Sequence, residues 1–243
     1  MRPEPQRYPV GVVAARALAG LSAAICFAVF APAALAVEPG EITNPCIAHA
    51  IATPGLYTSP QAMHQACGLG PVAPSASPPS APGEAPAGVA APATTPCDYC
   101  SYYIYSGDST NVINAKGCAT TTNLITFPVS SGCEGGRNEI WEIVPLSTGY
   151  RALIAYYKGY AVCMIAGAES GQNAGGQPCT NPVASYMEFR RPVVSESCAS
   201  GWYYIIPADN YNVSLNVRGG LGESKNIISY AKGCYDNSIW YYG

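Results

Sequence analysis

The stretch GCEGGRNEIW (132–141) comes back twice along the chain, as PCTNPVASYMEF (178–189) and as GCYDNSIW (233–240). Each copy is a cysteine (Cys133, Cys179, Cys234), a polar loop and a strand start carrying an apolar residue and ending on Trp141, Phe189 or Trp240. The endings fall about 50 residues apart, a period that marks a repeat architecture. Three similar turns lie upstream of them: VINAKG (112–117), VCMIAG (162–167) and LNVRGG (215–220). Between these landmarks, runs such as SYYIYS, YRALIAYY and GWYYIIPA alternate with Gly, Asn, Ser and Pro, the pattern of many short strands joined by turns. No convincing helix interrupts them. Three units of about four strands each predict an all-β fold, a β-trefoil of three repeats over 97–243, with the aromatic endings capping a common core.

Upstream, the character of the chain changes. Residues 71–96, PVAPSASPPSAPGEAPAGVAAPATTP, are rich in Pro and Ala. Proline lacks a backbone donor and restricts the residue before it, so this stretch reads as a semi-rigid linker. It divides the trefoil from a small module at 37–70. That module holds two candidate helices, one over about 46–52 and one opening with Ser59 as N-cap and Pro60 at its first position and stopping at Gly68. Some thirty residues bury little alone, so a Cys46–Cys67 staple between the helices is expected to matter.

Residues 1–36 read as a secretory signal peptide. Arg2, Arg7 and Arg16 precede the apolar run 17–31, and Ala34-Leu35-Ala36 supplies small residues for cleavage before Val37. The run is short for a membrane span, so no span is expected in the mature chain. Removing 1–36 takes the formal charge from −3 to −5 and the cysteines from eleven to ten. An even number in an exported chain reads as disulfides. Candidates are Cys46, Cys67, Cys118, Cys133, Cys163 and Cys179. Cys97-Asp-Tyr-Cys100 has redox-motif spacing without the usual helical context, and the preferred reading pairs it structurally with Cys118, Cys133, Cys198 or Cys234.

Composition excludes several function classes. With 49% hydrophobic and 11% charged residues the chain folds rather than staying disordered. A net negative charge argues against a nucleic-acid partner. Eighteen Tyr against four Phe and three Trp point to a wet, hydrogen-bonding surface. Both histidines, His49 and His64, precede the linker, so the large module cannot build a Ser-His or Cys-His nucleophile pair. Glu134, Glu139, Glu142 and Glu188 are present, but no two are singled out as a glycosidase pair. The mirror-image spacing Cys46-Ile-Ala-His49 and His64-Gln-Ala-Cys67 fits a zinc set, with a disulfide as the favoured alternative. Asn212-Val-Ser214 fits a glycosylation acceptor and is read as a turn.

Residues 97–243 resemble a ricin-B-type β-trefoil lectin domain. The counterparts of that family's Q-x-W strand are NEIW (138–141), YMEF (186–189) and NSIW (237–240), with Glu139, Glu188 and Ser238 standing for the Gln. The Cys163–Cys179 spacing resembles the family's disulfide within a repeat. The resemblance places a sugar pocket of the third repeat on Asn216, Tyr230 and Asn237. A first-repeat pocket falls on Asn114 and Asn138 with Glu139 and Phe127. The second repeat has Met164 or Ile165, and Tyr186, at the polar positions, which implies a dead pocket. Galactose binders of the family have Asp where Asn114 and Asn216 stand here, and Asn before Gly equally serves a tight turn.

These readings together imply a secreted, extracellular, carbohydrate-binding protein without enzymatic activity or cofactor, with glycans or glycoproteins as partners. The alternative is a cell-binding or delivery subunit of a bacterial toxin or adhesin complex that contacts a host glycoprotein or a protein partner.

Overall fold

The computed structural model describes residues 38–57, 59–69, 95–130, 133, 136–192, 197–199 and 201–243. The expected signal peptide and nearly all of the expected linker lie outside the described residues. The described residues form twelve strands, β1 (Ser101–Ser106), β2 (Asn111–Ala115), β3 (Thr122–Pro128), β4 (Ile140–Pro145), β5 (Arg151–Tyr157), β6 (Tyr160–Ile165), β7 (Gly175–Pro178), β8 (Ser197–Ala199), β9 (Trp202–Tyr203), β10 (Val213–Val217), β11 (Ile227–Ala231) and β12 (Trp240–Tyr242).

Their pairing is antiparallel throughout and closes on itself. β1 pairs with β4 on one side and β12 on the other, β4 continues to β5, and β12 continues to β9. Single bridges Arg151↔Phe189 and Phe189↔Pro207 complete the circuit. Three hairpins, β2–β3, β6–β7 and β10–β11, accompany this six-membered barrel and are joined by bridges Ile125↔Asn226 and Asn173↔Ile228 and by the β3–β7 pairing. This is a β-trefoil. The fourth strand of the second repeat survives only as the bridges at Phe189, while β8 forms a separate hairpin with β9.

The three aromatic endings meet as expected. Trp141, Phe189 and Trp240 are fully buried in one cluster with Ile104, Ile143 and Leu153. Burying an indole leaves its N–H to be satisfied. Trp141 Nε1 donates to the Ile113 carbonyl at 3.0 Å and Trp240 Nε1 to the Leu215 carbonyl at 2.9 Å. Each indole thereby pins a hairpin to the barrel, and Phe189 has no donor with which to do so.

The segment before the linker does not stand alone. Helix α1 (Pro45–Ala52) starts at Asn44, whose side chain accepts from the N–H groups of Cys46 and Ile47, and α2 (Pro60–Ala66) starts at Ser59, which accepts from Ala62 N–H. Gly68 follows with φ of 66°, a conformation that favours glycine. Ile47, Ile51 and Met63 share one buried cluster with Val144, Ala152, Ile154 and Met187 of the trefoil. The Cys46–Cys67 disulfide joins the two helices. Ahead of them, Gly40 and Ile42 bridge Val183 and Leu146 as a short added strand. A Cβ at Gly40 would lie 2.8 Å from Thr148 Oγ1, so only glycine fits that approach.

Three further cysteine pairs are Cys118–Cys133, Cys163–Cys179 and Cys97–Cys100, and Cys234 is also disulfide-bonded. The last of the three corrects the expectation for Cys97 and Cys100. A tight turn with Tyr99 at φ 60° brings the two cysteines together. Arg151 clamps that turn, donating from Nε and Nη2 to both Asp98 carboxylate oxygens at 2.8 and 2.9 Å.

Candidate functional site

A short 3₁₀ turn precedes each aromatic ending: Arg137–Glu139, Ser185–Met187 and Asp236–Ser238. The turns align Asn138, Tyr186 and Asn237 with one another, and Glu139, Met187 and Ser238 likewise. Glu188 therefore does not stand for the family's Gln. Two residues before the aromatic is the position that counts, and Met187 holds it. Glu188 turns the other way, accepting from Gly40 N–H at 2.6 Å and from Thr148 Oγ1 at 3.0 Å.

In the third repeat, Asn216 sits opposite Ile228 in the β10–β11 hairpin. Side chains two residues apart share a face of a strand, so Tyr230 stands beside it. Asn237 reaches over from the 3₁₀ turn, its Nδ2 donating to Asn216 Oδ1 and to the Val217 carbonyl, both at 3.2 Å. Asn216 Nδ2 in turn donates to Ser238 Oγ at 2.7 Å. Asn216, Tyr230 and Asn237 line a single cleft of about 580 Å³ with Arg218, Gly219, Gly220 and Tyr235. Tyr230 is 48% and Tyr235 65% exposed, so two aromatic faces stand in solvent beside two amides. A second groove shares Gly220, Tyr235 and Asn237 and adds Leu221 and Asp236. Sequence reasoning missed Arg218 and Tyr235. Arg218 follows Asn216 by two residues in LNVRGG, and Tyr235 lies in a polar loop without strand periodicity to mark it.

The first repeat repeats the register but not the opening. Asn114 lies opposite Ile125, which places Phe127 where Tyr230 stands. Asn114 Nδ2 donates to Glu139 Oε1 at 2.8 Å, and Asn138 Nδ2 to the Ala115 carbonyl at 3.0 Å. Glu139 is fully buried and also accepts from the N–H and Oγ of Ser130 at 2.9 and 2.7 Å. Asn138 is 3% exposed. The polar groups here face one another rather than solvent.

In the second repeat, core-facing Met164 fixes the register, so Ile165 occupies the position of Asn114 and Asn216, opposite Gly175. Ile165 and Met187 pack in the cluster that takes up α1 and α2. Tyr186 is 45% exposed.

The zinc alternative fails on geometry. Cys46 and Cys67 are spent on each other, His49 is exposed, and His64 is buried facing the trefoil, with Nε2 3.1 Å from Glu142 Oε2. The expectation that the helices bring both histidines together assumed that they pack mainly on one another; each instead packs on the trefoil. Beside this contact, burial and the Glu142 carboxylate hold the Tyr156 hydroxyl well above its ordinary range.

No family model matches the chain, and no curated protein matches it. Several solved structures are similar in shape. The designed three-fold symmetric protein ThreeFoil is 22% identical, with 58% of this chain and 96% of that chain covered and a TM-score of 0.46. A ricin B-like lectin of Macrolepiota procera, in complex with lactose, is 15% identical over 61% of this chain and 97% of its own, with a TM-score of 0.48. The Haemophilus ducreyi cytolethal distending toxin is 13% identical over 59% and 82%, with a TM-score of 0.47. Among the described residues, no helix is long and apolar enough to cross a membrane.

Proposed function

We propose that the chain is an exported, non-enzymatic carbohydrate-binding protein and that its glycan site is the third-repeat cleft. The observation that carries this reading is the convergence of Asn216, Asn237, Tyr230 and Tyr235 on one open cleft. An amide both donates to and accepts from vicinal hydroxyls, and a tyrosine face covers the apolar C–H side of a sugar ring. The hydrogen bonds from Asn237 to Asn216 and Val217 hold the polar edge in place before a ligand arrives, which limits the ordering entropy lost on binding. An open, solvent-washed cleft implies weak binding per site, strengthened when several copies meet one glycan surface. The disulfides accord with export from an oxidising compartment.

The test is a glycan array probed with the oxidised, secreted chain beside the Asn216→Ala/Asn237→Ala double variant. Binding by the parent that falls at least tenfold in the double variant is expected. Binding that survives the double variant moves the site out of the third repeat, and silence from a folded parent sinks the reading. The delivery-subunit alternative has one feature in its favour, the aromatic run Tyr103–Tyr105–Tyr241–Trp202 across β1, β12 and β9. Co-purification of a protein partner would single it out.

A further inference from the structure

We infer that the third-repeat cleft selects glycans carrying a carboxylate, a sialic acid or a uronic acid, and that Arg218 receives the charge; this rests on the glycan reading above. Among the residues that line the cleft, Arg218 carries the only formal charge. Asn216 is a neutral amide at the position where the resemblance led to expecting Asp, so an anionic ligand meets no carboxylate there. Among the described residues, no carboxylate pairs with Arg218. Of the acidic groups nearby, Glu223 is exposed in the same β10–β11 turn and does not line the cleft, Asp236 lines the adjoining groove, and Glu169 accepts from Gln172 Nε2.

The backbone fixes where the guanidinium starts. Arg218 follows directly on β10, and its N–H donates to the Asn226 carbonyl at 2.9 Å. The chain then turns away through Gly219 and Gly220, at φ of 76° and 100°, which keeps the cleft beside Arg218 free of side-chain bulk. The Arg218 side chain is exposed, on the rim of the same cleft as Tyr230 and Tyr235. A planar guanidinium matches a carboxylate with two parallel hydrogen bonds. A pyranose carboxylate is attached to the ring, so a ring stacked on tyrosine can hold its carboxylate towards the rim while its hydroxyls meet Asn216 and Asn237. The chain as a whole is acidic. Its overall field repels anions, so a preference for them must come from this one cation.

The experiment measures binding of sialyllactose against lactose, and of a glucuronate disaccharide against its neutral counterpart. It uses the disulfide-intact secreted chain together with its Arg218→Gln and Arg218→Lys variants. An exposed ion pair gains less than a buried one, so the expected preference for the acidic member of a pair is roughly five- to tenfold at low salt, shrinking as salt is added. Arg218→Gln should abolish the preference, bringing the affinities for the acidic and neutral members of each pair together, and Arg218→Lys, which keeps the charge without the fork, should restore part of it. A preference in one pair alone identifies the source of the carboxylate. Equal binding of acidic and neutral sugars by the parent, or a preference that persists in Arg218→Gln, overturns the inference and leaves the glycan reading standing. No binding to any of the four sugars overturns the inference, and silence of the same protein on the glycan array overturns the glycan reading with it.

Discussion

The first and third repeats place the same residues in the same register and reach opposite outcomes. Asn114 and Asn216, Asn138 and Asn237, Phe127 and Tyr230 occupy matching positions. In the first repeat the adjoining residue is Glu139, long enough to gather Asn114 and both donors of Ser130. In the third it is Ser238, which reaches only Asn216. The 3₁₀ turns also differ at their approach, where Gly136 faces the first repeat and the exposed Tyr235 the third. Asn114 and Asn216 are both buried and both hydrogen-bonded to neighbours, so the repeats part at the rim, where Asn138 is 3% exposed and Asn237 only half-buried, and where Tyr230 and Tyr235 stand in solvent. The second repeat adds a third outcome. With Ile165 and Met187 in place of the polar pair, its surface is apolar, and the two helices cover it.

The largest expected effect concerns that cover. His64 is the partner of a carboxylate that is 1% exposed. Truncating the imidazole both opens a cavity in the packing and leaves the buried Glu142 without that partner. His64→Ala should destabilise the chain by about 3–4 kcal/mol, and replacing both partners, His64→Leu with Glu142→Gln, should recover most of the loss. Thermal melts of the two variants decide this. A mild single variant would mean that the helices rest loosely on the second repeat. Next, Ile47→Ala leaves a cavity in the shared cluster and should lower stability by about 2–4 kcal/mol. If the melt instead splits into two transitions, the helices and the trefoil unfold separately.

A smaller effect sharpens the contrast between the first and third repeats. Glu139→Ser removes the acceptor of three hydrogen bonds and should lower stability by roughly 1–3 kcal/mol. It also makes the first repeat match the third at this position. In the background of Asn216→Ala/Asn237→Ala, weak glycan binding should return. Loss of stability with no return of binding would show that Tyr235 rather than the short Ser238 separates the two repeats.

These relations were legible in the sequence to different depths. The trefoil could be read because a repeat states its period three times, and because a strand ending on a large aromatic has only a core to enter. Helix starts at Ser59 and Pro60 were legible because capping is local chemistry. Glu188 was misplaced because a glutamate was matched to a glutamate, when the spacing to the aromatic governs the register. The pairing of Cys97 with Cys100 depends on a turn with positive φ at Tyr99, which no residue there announces. His64 meeting Glu142 depends on docking across a large gap in sequence, and apolar residues on short helices do not say what they pack on. Asn216, Tyr230 and Asn237 were found together because a family resemblance placed them. Arg218 and Tyr235 came from geometry alone.

The smallest expected effects are pH-dependent, and they run in opposite directions at two acids that hold loop structure. Burial alone would push the Asp108 carboxyl up, but hydrogen bonds from Ser106 Oγ, the N–H groups of Thr110 and Asn111, and Asn111 Nδ2 outweigh it and hold the carboxyl below its ordinary value. Its contribution is then present above the ordinary carboxylate range and is lost as pH falls through the lowered value. Asp108→Asn should be less stable than the parent by about 1 kcal/mol at pH 7, with the gap closing towards pH 3. Glu188 behaves in reverse, because burial raises its carboxyl and the hydrogen bonds from Gly40 and Thr148 only partly offset this. Its contribution is full below the ordinary glutamate range and is lost as pH rises through the raised value. Relative to Glu188→Gln, the parent should therefore lose ground between pH 4 and pH 7, the window in which the parent relative to Asp108→Asn holds its advantage. Paired denaturation curves across that range would separate a first-repeat turn held by a charge from an N-terminal segment held in spite of one.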